Sequence, residues 1–203
     1  HIYLCDDSGR PEVARLAAEM GVGYCAMKEN RHAKAGNLNN AMSMTDSPWV
    51  VTLDADMIPM QNFLTEVVPY TFLPVMKKLE DGTWAKRTAG EMDGSFRIGF
   101  IQTPQSFYNP DLFQFNFFSE KRIPNEQDFF FKEVNVGRNK ANAPIYAGSN
   151  TLLSRQALNE AGGFATGTVT EDFETGLRIQ SKGYTCYAID KILAHGLAAT
   201  DVG

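Results

Sequence analysis

The stretch from Trp49 to Asp56 constrains the fold of this chain more than any other. It begins with apolar and β-branched residues and ends abruptly in Asp54 and Asp56, two carboxylates separated by one small residue. Short apolar runs bounded by turn residues are typical of parallel strands that are covered on both faces. In open α/β sheets, ligands bind beyond the carboxyl ends of such strands. The pattern therefore predicts a buried strand that delivers two acids to a ligand.

The start of the chain repeats this arrangement. An apolar strand in residues 1–5 ends in Asp6 and Asp7, Pro11 occupies the favoured first position of a helix, and Gly21 follows the last helical residue. A second short strand is predicted at residues 24–27. Since a strand, a helix and a second strand wind right-handed into a parallel sheet, the chain is predicted to be an α/β protein, with a mostly parallel sheet flanked by helices.

Further elements follow in alternation. We predict a helix whose front is the polar segment Asn30–Asn40 and which runs to Met44, a long helix over Phe63–Lys78 that Pro69 and Pro74 kink or split, and an exposed insertion or hairpin at residues 79–97. Strands are predicted at 98–103, 184–189 and 192–197, and helices after Ser154 and from Phe173 to Lys182. With no internal repeat and no flexible linker, residues 1–203 are interpreted as one domain.

Composition narrows the function. A formal net charge of −5 disfavours a nucleic-acid partner. The three cysteines lie far apart, so neither a zinc site nor a disulfide framework is indicated. No run of eighteen apolar residues and no signal peptide is present. The chain opens inside an apparent strand without an initiator Met, and we interpret it as a soluble piece of a longer protein.

Two polar segments are candidates for ligand binding besides the acid pairs. Arg31, His32 and Lys34 form a cationic cluster near the start of a predicted helix, where exposed amide groups favour anions such as a diphosphate. Glu171 and Asp172 lie in the first turn of another helix, with Thr170 as its cap. A solvated helix start is the simpler explanation for the acids, which are common there. Bases are normally unfavourable at a helix start, so the cationic cluster favours a bound pyrophosphate. Asp54 and Asp56 have the hard oxygen ligands that Mg²⁺ prefers.

Taken together, these segments resemble a known family. Its motifs are matched, in order along nearly the whole chain, by Asp6-Asp7, the block His32–Asn39, Asp54-Ala55-Asp56, Gln102–Pro110, Gly148-Ser149 and Thr170-Glu171-Asp172. The chain resembles the inverting, processive family 2 glycosyltransferases, and in particular the catalytic domain of bacterial cellulose synthases. The resemblance implies a GT-A-like, Rossmann-like fold.

The resemblance also assigns roles to residues. Asp6 and Asp7 would hold the uridine of a UDP-sugar, Lys34 would contact its diphosphate, and Asp54 and Asp56 would position the diphosphate and a Mg²⁺ or Mn²⁺ ion. Asp172 would be the general base. The acceptor sugar would lie beside Gly148, Ser149 and Glu171; here Tyr146-Ala147 replaces the Phe-Cys that is more common in cellulose synthases.

By the same resemblance, the donor would be UDP-glucose and the acceptor a growing β-glucan. Family members also have a further first strand and a Gln-x-x-Arg-Trp helix, which this chain lacks, so it is interpreted as truncated at both ends and inactive in isolation. The longer parent would carry membrane helices at the cytoplasmic face of the cell membrane, with further synthase subunits.

Three alternatives remain open. A chitin- or hyaluronan-type synthase would use UDP-N-acetylglucosamine with the same acid motifs. A haloacid-dehalogenase-like phosphatase would use Asp54 as a nucleophile at the end of its strand. That family usually has Thr or Val two residues after the second acid, where this chain has Ile58. A non-catalytic nucleotide-binding module would need no base at Asp172.

Overall fold

The computed structural model describes residues 1–27, 33–120 and 122–199. It begins with a strand-helix-strand unit made of β1 (Tyr3–Cys5), α1 (Pro11–Glu19) and β2 (Gly23–Cys25). The two strands are parallel, as predicted. Gly21, which follows the C-cap residue Met20, has a φ of +66°, a conformation that glycine adopts without strain.

Helix α2 (Ala33–Ser43) and strand β3 (Trp49–Thr52) follow. The helix confirms the prediction for this segment. Two members of the predicted cationic cluster, Arg31 and His32, lie outside the described residues. Only Lys34 of that cluster is described, and it lies in the first turn of α2.

The central sheet has four strands, in the order β10 (Thr185–Ala188), β7 (Ile98–Gln102), β9 (Thr151–Ser154) and β3. Strands β7 and β10 are parallel, whereas β9 runs antiparallel to both of its neighbours, β7 and β3. The sequence analysis did not predict β9, because its four residues are all buried and show no alternation of apolar and polar residues.

A small second sheet lies next to the turn that carries Asp54 and Asp56. Strand β4 (Ile58–Pro59) pairs antiparallel with β11 (Ala194–Gly196), and β11 pairs parallel with β8 (Ser106–Phe107). Since β4 begins two residues after Asp56, this pairing fixes the chain on the far side of the Asp54–Asp56 turn.

The segment after β4 differs from its prediction. Helix α3 ends at Val67 (Phe63–Val67) and continues as one 3₁₀ segment, Val68–Phe72. The chain then forms an antiparallel hairpin of β5 (Met76–Lys78) and β6 (Trp84–Lys86). The prediction that the prolines split this helix is confirmed, since each lacks the amide that a continuing α-helix requires. The extension of the helix to Lys78 is wrong, because residues 76–78 form a strand. The hairpin that was predicted within 79–97 starts three residues earlier.

The remaining helices lie in the second half of the chain. They are α4 (Leu112–Asn116), α5 (Glu126–Phe129) with a π-helical continuation at Phe130–Asn135, a 3₁₀ segment at Arg138–Ala141, α6 (Arg155–Ala161) and α7 (Glu171–Ser181). None of the helices in the described part of the chain is both long and apolar enough to span a membrane.

The central sheet is buried on both faces. Consecutive residues of β7, Phe100 and Ile101, belong to two different core clusters, since neighbouring side chains of a strand point to opposite faces. Leu158 of α6 and Ile179 of α7 are in the cluster of Phe100, and Val67 of α3 is in the cluster of Ile101. The predicted arrangement, a sheet flanked by helices, is confirmed.

Candidate functional site

Helix α2 connects the two acid pairs. The ammonium group of Lys34 forms an ion pair with a carboxylate oxygen of Asp54. One turn later, the amide Nδ2 of Asn37 donates to Oδ1 of Asp7 at 3.0 Å. Because residues three apart share a helix face, Asp7 and Asp54 lie along the same side of α2, although they are far apart in sequence.

The turn after β3 presents the acids of the Asp54-Ala55-Asp56 motif. The amide of Met57 donates to the carbonyl of Asp54 at 3.0 Å, which closes a tight turn. Asp54 is half-buried and Asp56 is exposed. The turn is held from the other side by Ser149, whose Oγ accepts from the Asp54 amide at 2.8 Å.

Gly148 brings Asp172 to the same place. A Cβ atom on this glycine would lie 3.1 Å from Oδ2 of Asp172 and 3.4 Å from Nζ of Lys34. Its φ of +78° is also a conformation that other residues adopt only with strain. Asp172 and the Lys34–Asp54 pair therefore flank one backbone position, so acids that are 118 positions apart in the sequence share one site.

Helix α7 delivers Asp172 with its first turn. Glu171, Asp172 and Glu174 all lie in that turn, where the helix dipole stabilises negative charge. Glu171 and Asp172 line a small cavity together with Lys34 and Gly148. Thr170 is at the N-cap position, but its side chain makes no capping hydrogen bond, so the prediction that Thr170 caps the helix is wrong.

Asp6 has a different environment from its neighbour Asp7. It is 2% exposed, and its carboxylate accepts from the Arg10 amide at 2.6 Å, from the Arg10 guanidinium at 2.9 Å and from the Tyr24 hydroxyl at 3.0 Å. These hydrogen bonds, above all those from the Arg10 side chain, lower the pKa of Asp6 to about 2. Asp7 is half-buried, so of the two acids it is the one with surface available to a ligand.

The pKa of Asp6 makes a prediction about acid stability. Because that pKa is lowered on folding from 3.8 to about 2, the ionised carboxylate stabilises the fold above pH 4, and this contribution is lost as the pH falls toward 2. We expect Asp6→Asn to unfold at a lower urea concentration than the wild type at pH 6, with a difference that narrows progressively below pH 4. Urea midpoints followed by circular dichroism measure this. A difference of constant size from pH 6 to pH 2 would contradict the assignment.

Ser149 is buried, although it was predicted beside the acceptor. Its side chain has no exposed surface, and its hydroxyl bonds to the Asp54 amide at 2.8 Å and approaches Oδ1 of Asn150 at 3.3 Å. With no exposed surface, this hydroxyl does not reach a sugar bound at the surface of the site. Gly148 and Glu171, the other two residues predicted there, both line the cavity beside Asp172.

Two residues of the site escaped the sequence analysis as functional candidates. Tyr146 is buried beneath Gly148, with its hydroxyl 3.3 Å from Oγ1 of Thr52, and burial raises its pKa, so it is a neutral phenol. Asn37 is fully buried and holds Asp7. Asn37 belongs to the block His32–Asn39 that carried the resemblance, but the resemblance gave it no role of its own, and polar residues are common on helix surfaces.

The acids fit a divalent cation that is completed by a ligand. Asp54 and Asp56 supply carboxylate oxygens, and Asp54 already binds one cationic group, the Lys34 ammonium. Within residues 1–27, 33–120 and 122–199, no three acidic, histidine or cysteine side chains gather into a metal cage. Mg²⁺ characteristically takes one or two protein carboxylates plus substrate phosphates, so a site of this composition suits an ion that arrives with a phosphorylated ligand.

Comparison with known sequences agrees with this geometry. The sequence model described as glycosyl transferase family group 2 matches residues 49–199. Over 98% of this chain, the identity is 37% to putative cellulose synthase 2 and 38% to the cellulose synthase 1 catalytic subunit (UDP-forming), both of Komagataeibacter xylinus. The chain spans 12% of the first relative and 24% of the second.

A relative of lower identity and a solved glycosyltransferase structure are also similar to this chain. The UDP-forming cellulose synthase catalytic subunit of Xanthomonas axonopodis pv. citri is 34% identical over 97% of this chain, which spans 24% of that protein. Among solved structures, the mannosyltransferase PcManGT of Pyrobaculum calidifontis, in complex with GDP-Man and Mn²⁺, superposes with a TM-score of 0.61 at 20% identity. The match covers 96% of this chain and 46% of that one.

Proposed function

Because this chain belongs to glycosyl transferase family group 2 and has a GT-A-type fold, we propose that it is the catalytic domain of an inverting, UDP-glucose-dependent β-glucan synthase of the cellulose synthase type. One observation carries the proposal. Asp172 lies across Gly148 from the Lys34–Asp54 ion pair. A carboxylate that could act as general base therefore faces the charged residues that could hold the donor diphosphate. The identity to UDP-forming catalytic subunits supports UDP as the nucleotide.

The donor would bind along helix α2. Asp7, held by Asn37, has exposed surface with which to contact the nucleoside. Asp6 orders the turn between β1 and α1, which contains Asp7, through its bonds to Arg10 and Tyr24. Lys34 would exchange its contact with Asp54 for the diphosphate, as a point charge on a flexible stem. When Mg²⁺ or Mn²⁺ is bound by Asp54 and Asp56, it supplies charge stabilisation for the departing UDP.

The acceptor would enter on the Asp172 side. A hydroxyl that attacks the anomeric carbon must lose its proton, and a carboxylate within hydrogen-bond reach can take it. Asp172 is half-buried and makes a local hydrogen bond from the Phe173 amide to one oxygen, Oδ1, which leaves Oδ2 facing the site. A single displacement with no covalent intermediate inverts the configuration, so an α-linked donor gives a β-linked product.

Acceptor binding is assigned to the residues around this base. Gly148 offers a backbone surface without a side chain, and Glu171 adds a second carboxylate that could accept hydrogen bonds from sugar hydroxyls. Ser149 would support this surface through its hydrogen bond to Asp54. The acceptor would be the growing β-glucan, and the full-length protein would hold it at the cytoplasmic face of the cell membrane, with membrane helices and further synthase subunits.

Titration calorimetry of the chain tests the donor assignment. We expect UDP and UDP-glucose to bind in the presence of Mn²⁺, and binding to weaken at least about tenfold, or ~1.4 kcal/mol, without the ion, because the diphosphate then lacks a bridge to Asp54 and Asp56. Tighter binding of UDP-N-acetylglucosamine than of UDP-glucose would favour a chitin- or hyaluronan-type synthase. No binding of any UDP species, with hydrolysis of a generic phosphoester, would favour the phosphatase.

A further inference from the structure

The turn at residues 147–150 touches both acids of the site. Its Ser149 hydroxyl accepts from the Asp54 amide at 2.8 Å, and its Gly148 lies against the carboxylate of Asp172. Asp54 follows β3, and Asp172 lies in the first turn of α7. The two acids belong to separate elements and do not position each other directly. The position of this turn therefore sets how the two carboxylates are placed relative to each other.

One fully buried side chain bonds to the turn at both Ala147 and Ser149. The amide group of Gln102, at the end of β7, has no exposed surface. Its Nε2 donates to the carbonyls of Ser149 and Thr103, each at 2.8 Å, and its Oε1 accepts from the Ala147 amide at 2.8 Å and from Thr151 Oγ1 at 2.7 Å. These four bonds use the full hydrogen-bonding capacity of a glutamine amide.

The turn needs such a partner because its backbone is irregular. Gly148 has a φ of +78° and Asn150 one of +54°, so the chain cannot continue the ladder of β9 through these residues. Buried amide and carbonyl groups outside a regular ladder must find other partners. A buried glutamine is costly unless its amide is paired, and nearly all of what Gln102 pairs with belongs to this turn and its flanks.

We propose that Gln102 is a positioning residue for sugar transfer, which acts by fixing the 147–150 turn between Asp54 and Asp172. The proposal rests on the proposed function, since it concerns the distance between the base and the donor. Gln102 itself is buried beneath the turn and touches neither substrate. Its loss displaces the turn, and displacements of about 1 Å in a reacting pair can reduce a rate by about 10²-fold.

The test is the steady-state kinetics of Gln102→Met in the full-length protein, measured as UDP release from UDP-glucose. Methionine has a similar volume and no amide. We expect kcat to fall about 10- to 100-fold, while KM for UDP-glucose changes less than about threefold, because Asp7, Lys34 and the Asp54 side chain remain present. A second variant, Ser149→Ala, removes the hydroxyl that bonds to the Asp54 amide and to Oδ1 of Asn150, and should lower kcat in the same direction.

Asn139→Leu is the matched control. Asn139 also braces a strand by two side-chain amide bonds, to the carbonyl and amide of Ala188 in β10. Ala188 pairs with Gln102 across the sheet, so this variant loosens the same pair of strands without removing a bond to the 147–150 turn. It should lower the melting temperature without a selective fall in kcat. If Gln102→Met and Ser149→Ala both kept the wild-type kcat and showed only a lowered melting temperature, this inference would be wrong and the proposed function would stand. A wild-type protein that releases no UDP would overturn the proposed function and this inference with it.

Discussion

Replacing Asp172 with asparagine is expected to reduce sugar transfer by the full-length protein by about 10²- to 10⁴-fold while leaving UDP binding intact. The asparagine keeps the size of the side chain and its place against Gly148, but it cannot take a proton from the acceptor hydroxyl. Lys34, Asp54 and Asp7 would still hold the donor. UDP release measures the transfer rate, and calorimetry with UDP and Mn²⁺ measures the binding.

Glu174→Gln is the matched control for this substitution. Glu174 lies in the same first turn of α7, and its carboxylate accepts from the Thr168 hydroxyl and from the Arg178 guanidinium, so it does not face the site. Like Asp172→Asn, the substitution Glu174→Gln removes one negative charge from the start of α7. It should leave the transfer rate within about threefold of the wild type. Unchanged transfer in Asp172→Asn would remove Asp172 from the role of base, and loss of UDP binding would indicate a donor-binding role instead.

Replacing Asp54 with asparagine is expected to abolish the dependence of UDP binding on Mn²⁺. Asp54 lies at the centre of the site, with its carboxylate on Lys34 and its amide on Ser149. Asparagine preserves the turn but removes the charge that draws a divalent cation. We expect the affinity for UDP in the presence of Mn²⁺ to fall at least about tenfold, or ~1.4 kcal/mol, and to become nearly equal with and without the ion.

Asp46→Asn controls for a general change in net charge. Asp46 is an exposed acid before the same strand, β3, and its removal should leave the metal dependence unchanged. Titration calorimetry of the chain with UDP, with Mn²⁺ or with a chelator, compares the two variants directly. If Asp54→Asn retained the full effect of Mn²⁺, the ion would have to be held elsewhere, and the proposed metal role of Asp54 would be wrong.

Local sequence signals predicted the elements that carry the acids. Pro11 and Gly21 bounded α1, the apolar run from Trp49 predicted β3, and the acids of Glu171-Asp172 lie in a first helical turn as expected. Each of these signals acts within a few residues, through proline geometry, glycine conformation, burial or the helix dipole. The resemblance to a family then supplied the roles, which no single acid pair could.

The same local signals failed where packing decided the outcome. Strand β9 was not predicted, because a fully buried strand has no alternation, and its antiparallel direction in the sheet follows from pairing with β3 and β7. Lys78 was placed in a helix by periodicity, but it lies in a hairpin because two prolines end the helix. Thr170 has the identity of a cap and the position of a cap without the bond.

The sequence by itself determined which residues end strands and begin helices, and so which acids could reach the edge of a sheet, since these choices depend on neighbours along the chain. It could not decide how the acids are used. Asp6 is enclosed by Arg10 and Tyr24, whereas Asp7 keeps an accessible surface. Gln102 and Ser149 connect the 147–150 turn to the end of β7 and to Asp54 through bonds that span 47 and 95 residues of sequence. Only the tertiary structure decides such contacts, because the free energy of burying a polar group depends on which distant partners pack against it.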